Sequence, residues 1–101
     1  MMAEPVKIDI PHKLGQAAAR NRLEAGFDRL TSFVPGGRVT EHVWEDNRLR
    51  FTVEALGQRV SARLDVLDQA VHAEIDLPPT LALFASRIKG ALGEAGTRLL
   101  T

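Results

Sequence analysis

The chain has 101 residues and a mass of 11.1 kDa, which suits one compact domain with a single core. Hydrophobic residues make up 45% and charged residues 26%, a globular composition that excludes a wholly disordered or collagen-like chain. The 13 basic residues balance 13 acidic ones, which argues against a dedicated nucleic-acid binder. There is no cysteine, so disulfides, thiolate nucleophiles and cysteine-ligated zinc are excluded.

The chain is expected to be cytoplasmic and to lack a membrane span. Residues 1–7 contain no apolar run followed by a small-residue cleavage pattern, so no export signal is expected there. The apolar stretch Leu81–Ala85 is far too short to cross a bilayer. We predict a single domain over residues 1–101, with an ordered core at about residues 6–100.

The N-terminal part is predicted to form a strand and then a helix. Residues 6–11 alternate apolar and polar side chains, the pattern of a half-buried strand, and Pro11 ends it. From His12 onward the apolar residues follow helical spacing, at Leu14, Ala18, Ala19, Leu23, Phe27, Leu30 and Val34. The run Pro35-Gly36-Gly37 is expected to end this helix.

Residues 38–77 are predicted to form four antiparallel strands joined by short hairpins. Two-residue loops place Phe51 opposite Ala62, and Ala62 opposite Ile75. The other face then pairs opposite charges at Glu54–Arg59, Arg63–Glu74 and Asp65–His72. One mismatch remains, because Arg50 falls opposite Arg63.

The first hairpin has two alternative registers. A two-residue turn places Trp44, His42 and Thr40 on the apolar face, whereas a one-residue slip substitutes Val43 and Val39. We favour the first register, because burying an indole gains more than burying a valine.

The run Pro78-Pro79-Thr80 is expected to end the sheet and open a C-terminal helix. Its apolar stripe consists of Leu81, Phe84, Ile88, Leu92, Ala95 and Leu99. Gly90, Gly93 and Gly96 lie within this helix, and each costs about 1 kcal/mol relative to alanine. The helix therefore either packs very closely against a neighbour at these glycines, or it bends or frays there.

The predicted order β-α-β-β-β-β-α is that of an α+β two-layer sandwich. One face of the five-stranded antiparallel sheet is charged and the other apolar, so both helices should cover the apolar face. The predicted core contains Phe51, Leu64, Ile75, Leu23, Phe27, Phe84 and Ile88. This order is similar to the TATA-binding-protein-like fold and to a short helix-grip fold, but topology alone transfers no function.

No catalytic, cofactor-binding or metal-binding residue is predicted, and an enzyme is not expected. The three histidines have no partner at metal-ligand spacing. We interpret His12 as a turn or helix-capping residue and His72 as a partner of Asp65. The carboxylates of the charged face are interpreted as an exposed salt-bridge ladder, each pair contributing at most about 1 kcal/mol. The candidate ligand or partner contacts are His42, Trp44, Phe84 and Ile88.

Three segments resemble the polyhydroxyalkanoic acid system protein family, small bacterial proteins associated with polyester storage granules. The first is Ile8-Asp9-Ile10-Pro11-His12-Lys13-Leu14-Gly15 with Ala18-Ala19-Arg20, the second runs from Trp44 to Phe51, and the third runs from Leu77 to Ile88. The resemblance covers about residues 6–100. It implies a non-enzymatic cytoplasmic protein of polyhydroxyalkanoate metabolism, without catalytic residues or cofactor.

Two functions follow as hypotheses. Amphipathic helices that are not fully buried could present apolar surface to a storage granule or to a granule protein. Alternatively, an apolar cavity between the last helix and the sheet could bind a small ligand. An exposed apolar patch favours the first hypothesis, and an enclosed pocket favours the second. The sequence leaves the oligomeric state open.

Overall fold

The alternation of apolar and charged residues produces a five-stranded sheet in the computed structural model, which describes residues 5–31, 36–55 and 57–100. The strands are β1 (Val6–Pro11), β2 (Arg38–Glu45), β3 (Arg48–Ala55), β4 (Gln58–Val66) and β5 (Ala70–Asp76). The helices are α1 (Gln16–Ala25), α2 (Phe27–Thr31), a 3₁₀ helix (Pro79–Phe84) and α3 (Ala85–Leu100). The predicted α+β class is confirmed.

The sheet has the strand order β1-β5-β4-β3-β2, and every neighbouring pair is antiparallel. The predicted registers are confirmed, with Phe51 opposite Ala62 and Ala62 opposite Ile75. The N-terminal strand joins the sheet beside β5, where Ile8 lies opposite Ala73. β1 and β2 are therefore the two edges of the sheet.

The first hairpin adopts the favoured register up to a bulge. Trp44 lies opposite Leu49, and His42 lies opposite Phe51, so both belong to the apolar face. Beyond them the register shifts between Val39 and Glu41, which places Val39 opposite Val53. The prediction that Thr40 lies on the apolar face is wrong, because the extra residue of the bulge reverses the alternation.

The core is one continuous cluster between the apolar face of the sheet and the helices. Its largest fully buried side chain is that of Phe51, which is 1% exposed and packs edge-on against Phe27 of α2 at a ring-centre distance of 5.2 Å. Leu23 of α1 and Leu92 of α3 belong to the same cluster. The prediction that N- and C-terminal helices share the apolar face is thus confirmed.

The N-terminal helix begins later than predicted and is divided in two. It begins at Gln16, after Gly15 with φ of 80°, so His12 does not cap it. Gly26 separates α1 from α2, and a Cβ atom there would lie 2.2 Å from the Leu99 side chain of α3. This glycine lets α3 approach closely. Val34, the last position of the predicted stripe, and Pro35, where the helix is predicted to end, lie outside the described residues.

The C-terminal helix also begins differently, because residues 79–84 form a 3₁₀ helix. Three residues per turn instead of 3.6 take these residues out of phase with the stripe of α3. Phe84 is consequently 46% exposed, so its predicted place in the core is wrong, whereas Ile88 is buried as predicted. The buried residues of α3 are Ile88, Leu92, Gly96 and Leu100.

The glycines of α3 differ in their surroundings. A Cβ atom on Gly96 would lie 2.4 Å from Cδ1 of Ile10 in β1, whereas one on Gly90 would meet no atom within 4 Å. The close-packing alternative therefore holds at Gly96. Gly90 has no such packing reason within the described residues.

We expect opposite results from alanine at these two glycines. Gly90→Ala should raise the free energy of unfolding by about 0.5 to 1 kcal/mol, because alanine is the better helix former. Gly96→Ala should lower it by about 1 kcal/mol, because displacing the buried Ile10 side chain outweighs that gain. Urea denaturation of both variants provides the measurement. Equal stabilisation by both substitutions would contradict the close approach of α3 to β1.

Candidate functional site

The open face of the sheet carries a ladder of ion pairs, as predicted. Arg59 pairs with Glu54 at 2.8 Å, and Arg48 pairs with Asp65 at 2.6 Å. Arg63 reaches Asp76 at 2.7 Å. These carboxylates face cations in solvent and do not converge in a sheltered cleft, so they are poorly suited to acid-base chemistry.

Two details of this ladder differ from the predicted pairings. Arg50 and Arg63 do lie opposite each other, but each has its own carboxylate, since Arg50 pairs with Glu45 of β2. His72 lies opposite Asp65 in the register, but its Nδ1 contacts Asp9 of β1 at 2.6 Å. The prediction of Asp65 as its ionic partner is wrong, because Arg48 occupies that carboxylate.

His12 is a buried turn residue, 7% exposed. Its Nδ1 accepts a hydrogen bond from the Leu14 backbone N–H at 3.2 Å, so its Nε2–H donates to the Leu67 carbonyl at 3.1 Å. Both ring nitrogens are thereby used to join the β1–α1 turn to the β4–β5 turn. These hydrogen bonds agree with the interpretation of His12 as a turn residue.

Polar and aromatic side chains form a cluster where α1 and α2 meet the edge strand β2. We call Arg20, Glu24, Phe27, His42 and Trp44 the edge cluster. Trp44 donates its indole N–H to Glu24, and His42 Nε2 lies 3.0 Å from the same carboxylate oxygen. The His42 ring stacks on Phe27 at 3.9 Å, and the Arg20 guanidinium lies 4.4 Å from the centre of the Trp44 ring.

The electrostatics of the edge cluster favour an ionised Glu24. The indole N–H of Trp44 holds the pKa of Glu24 below its ordinary value, partial burial opposes this, and the His42 hydrogen bond reinforces it. A carboxyl group that stays ionised is a poor general acid. Glu24 therefore anchors the edge strand to α1, and the cluster offers no nucleophile.

We expect Glu24→Gln to lower the free energy of unfolding by about 1 to 2 kcal/mol at pH 7, because the charged acceptor of two hydrogen bonds is lost. The lowered pKa means that the ionised form contributes stability above the unfolded-state pKa, and that this contribution disappears as the pH falls through the folded-state value. The difference between wild type and variant should therefore shrink below about pH 4.5. Urea titrations at pH 7 and pH 3 test this. A difference that stays constant with pH would exclude the anchoring charge.

Apolar surface is exposed at the 3₁₀ helix. Leu83 is 94% exposed and its neighbour Phe84 is 46% exposed, and we call this pair the apolar tip. No charged residue occurs between residues 77 and 86, and Arg87 then follows. Exposed leucine and phenylalanine side by side offer a site for contact with an apolar surface.

The four candidate contact residues lie in different environments. His42 and Trp44 come together through Glu24 at the edge of the sheet. Phe84 forms part of the apolar tip, while Ile88, at 8% exposed, lies in the core. As ligand or partner contacts these residues remain predictions.

Three residues of these surfaces were missed by sequence reasoning. Leu83 falls off the helical stripe, and only the uncharged run around it gives a signal. Arg20 and Glu24 are four residues apart and so share one face of α1. Nothing in their local sequence shows that this face meets β2.

The described part of the chain contains neither a cluster of metal ligands nor a membrane-spanning helix. In that part of the chain, no group of three or more histidine, aspartate or glutamate side chains is arranged to hold a metal ion. None of the helices described has the length and apolar character needed to cross a membrane.

Comparison with known proteins identifies a matching family. The family model described as "Putative polyhydroxyalkanoic acid system protein" matches residues 6–99, which include every strand and the helices that cover the sheet. No curated protein and no solved structure matches the chain.

Proposed function

Since the chain belongs to the polyhydroxyalkanoic acid system protein family, we propose that it is a non-enzymatic component of polyhydroxyalkanoate storage that contacts the granule, or a protein on it, through the apolar tip. The observation that carries this proposal is the 94% exposure of Leu83 beside the half-exposed Phe84. The protein would act in the cytoplasm, at the surface of the granule.

The energetics favour apolar contact over charge. Burying one leucine side chain contributes about 1.5 to 3 kcal/mol. The chain has a formal net charge of zero, so it has little long-range attraction to an anionic surface. Short-range burial of Leu83 and Phe84 is therefore the stronger source of affinity.

A non-catalytic role is supported by the ion pairs and hydrogen bonds in which the titratable groups take part. The carboxylates of the sheet face lie in ion pairs, and Glu24 holds His42 and Trp44. His12 uses both ring nitrogens in backbone hydrogen bonds. These groups stabilise the fold and present no convergent nucleophile and base.

The alternative of an apolar ligand pocket between α3 and the sheet has no observation in its favour. Ile88 and Leu92 fill this layer, and Gly96 brings the helix onto Ile10. Several surface depressions of the described residues lie at turns and strand ends. We therefore propose the contact role alone.

The proposal is tested by fractionating storage granules from producing cells and detecting the protein on them. We expect the association to survive about 0.5 M salt, where electrostatic screening shortens the reach of charges to about 4 Å. Association that disappears at this ionic strength would reject the apolar mechanism. A protein found only in the soluble fraction would reject granule contact itself.

A further inference from the structure

The edge strand β2 has hydrogen-bonding capacity that its own sheet does not use. Within the described ranges its eight residues pair on one side only, with β3, and seven of the eight are exposed. An edge of this kind is a template for pairing with another strand.

The geometry of the β2–β3 hairpin shows which backbone groups are available. Glu45 and Arg48 flank the two-residue turn, so they form the hydrogen-bonded pair that closes it. Because hydrogen-bonded and non-hydrogen-bonded pairs alternate, His42 and Trp44 fall in non-hydrogen-bonded pairs. Beyond the bulge, Val39 also falls in a non-hydrogen-bonded pair, opposite Val53. The backbone N–H and C=O groups of these three residues therefore point away from β3.

These positions are self-complementary, and we propose that β2 pairs with β2 of a second copy of this chain to form an antiparallel dimer. The two-fold axis passes beside His42, so that His42 of one copy lies opposite His42 of the other. Val39 of one copy then lies opposite Trp44 of the other, provided that Thr40 bulges in both strands. Each of these pairs joins residues whose backbone groups point outward.

Two pairs of this register match in character, one on each face of the sheet, whereas Val43 of one copy lies opposite Glu41 of the other. Val39, which is 37% exposed, meets the partly exposed Trp44 on the apolar face. On the charged face Arg38 of one copy meets Glu45 of the other, and their side chains are 81% and 56% exposed. Two-fold symmetry forms each pair twice. Because the same bulge occurs in both strands, directly opposite residues lie on the same face along the whole pairing.

The opposite edge is less suited to such pairing. β1 ends in Pro11, which has no backbone N–H to donate. Pairing through β2 would join two five-stranded sheets into one antiparallel sheet of ten strands. The edge clusters of the two copies would then flank the two-fold axis.

The test uses sedimentation equilibrium of the full chain up to about 1 mM, at about 50 mM salt, where exposed charge pairs are weakly screened. Wild type should dimerise. Arg38→Glu and Glu45→Arg should each weaken dimerisation by about tenfold or more, because each places like charges opposite each other twice. An equimolar mixture of the two variants should form a heterodimer of about wild-type affinity, because opposite charges then meet again at both positions.

Two controls separate this register from other associations. Arg59→Glu reverses an exposed charge on the same face, beside the same Glu54 that Arg38 contacts, and should leave dimerisation unchanged. Leu83→Asp should also leave it unchanged, so that failure of granule contact and failure of the dimer remain distinguishable. A monomeric wild type at 1 mM, or variants whose mixture does not recover the dimer, would overturn the proposal.

Discussion

Phe51→Ala is expected to lower the free energy of unfolding by about 3 to 5 kcal/mol. The ring is 1% exposed, lies opposite Ala62 and packs edge-on against Phe27. Removing it takes away the transfer free energy of the ring and leaves a cavity between β3 and α2. A domain of this size has a total stability of about 5 to 15 kcal/mol, so the variant should lose a large part of it.

Urea denaturation measures this effect, and Trp44, the single tryptophan, is a suitable fluorescent reporter because it links β2 to α1 through Glu24. Phe51→Leu is the matched control and should cost less than about 1.5 kcal/mol, because much of the apolar volume remains. An unchanged denaturation midpoint in Phe51→Ala would contradict the position of this residue at the centre of the core.

The sheet was predictable from the sequence to the level of register. Short hairpins leave few registers, and in each of them a one-residue slip would move Phe51 or Ile75 from the core to the charged face. The pairing of Glu54 with Arg59 supports the same choice on the other face. In the first hairpin the size of the indole at Trp44 selected the register that holds for Trp44 and His42, but not for Thr40 beyond the bulge.

The helical segments were less predictable, because their details depend on contacts distant in sequence. Gly26 divides the first helix where Leu99 of α3 approaches, and no pattern in the local sequence indicates that contact. The apolar spacing of Leu81, Phe84 and Ile88 reads as one stripe, whereas a 3₁₀ turn turns Phe84 outward. The predicted stripe uses the α-helical period of 3.6 residues per turn, whereas residues 79–84 form a 3₁₀ helix.

The candidate functional surfaces also depend on contacts between residues that are distant in sequence. The edge cluster requires α1 to lie over β2, a packing that joins Glu24 to Trp44 across 20 positions of sequence. The bulge at Thr40 is also invisible in the alternation of β2, although it determines which side chains a second strand would meet. Uncharged runs are visible in the sequence, but their exposure is not.

Leu83→Asp is expected to reduce granule association by about 10- to 100-fold. The substitution removes about 1.5 to 3 kcal/mol of binding free energy that comes from burying the leucine side chain. Each 1.4 kcal/mol of binding free energy corresponds to a tenfold change in affinity. The aspartate also brings a charge that is costly to transfer to an apolar surface. Because Leu83 is 94% exposed in the free protein, the free energy of unfolding should change by no more than about 0.5 kcal/mol.

The measurement compares granule-bound and free protein after fractionation, for wild type and variant at equal expression. Leu67→Asp is the matched control, since Leu67 is also an exposed leucine, 51% exposed, but lies in the turn between β4 and β5. It should associate with granules as wild type does. Equal loss in both variants would mean that added negative charge, and not the apolar tip, determines the result. Unchanged association of Leu83→Asp would exclude the tip as the contact surface, because the substitution removes its most exposed apolar side chain.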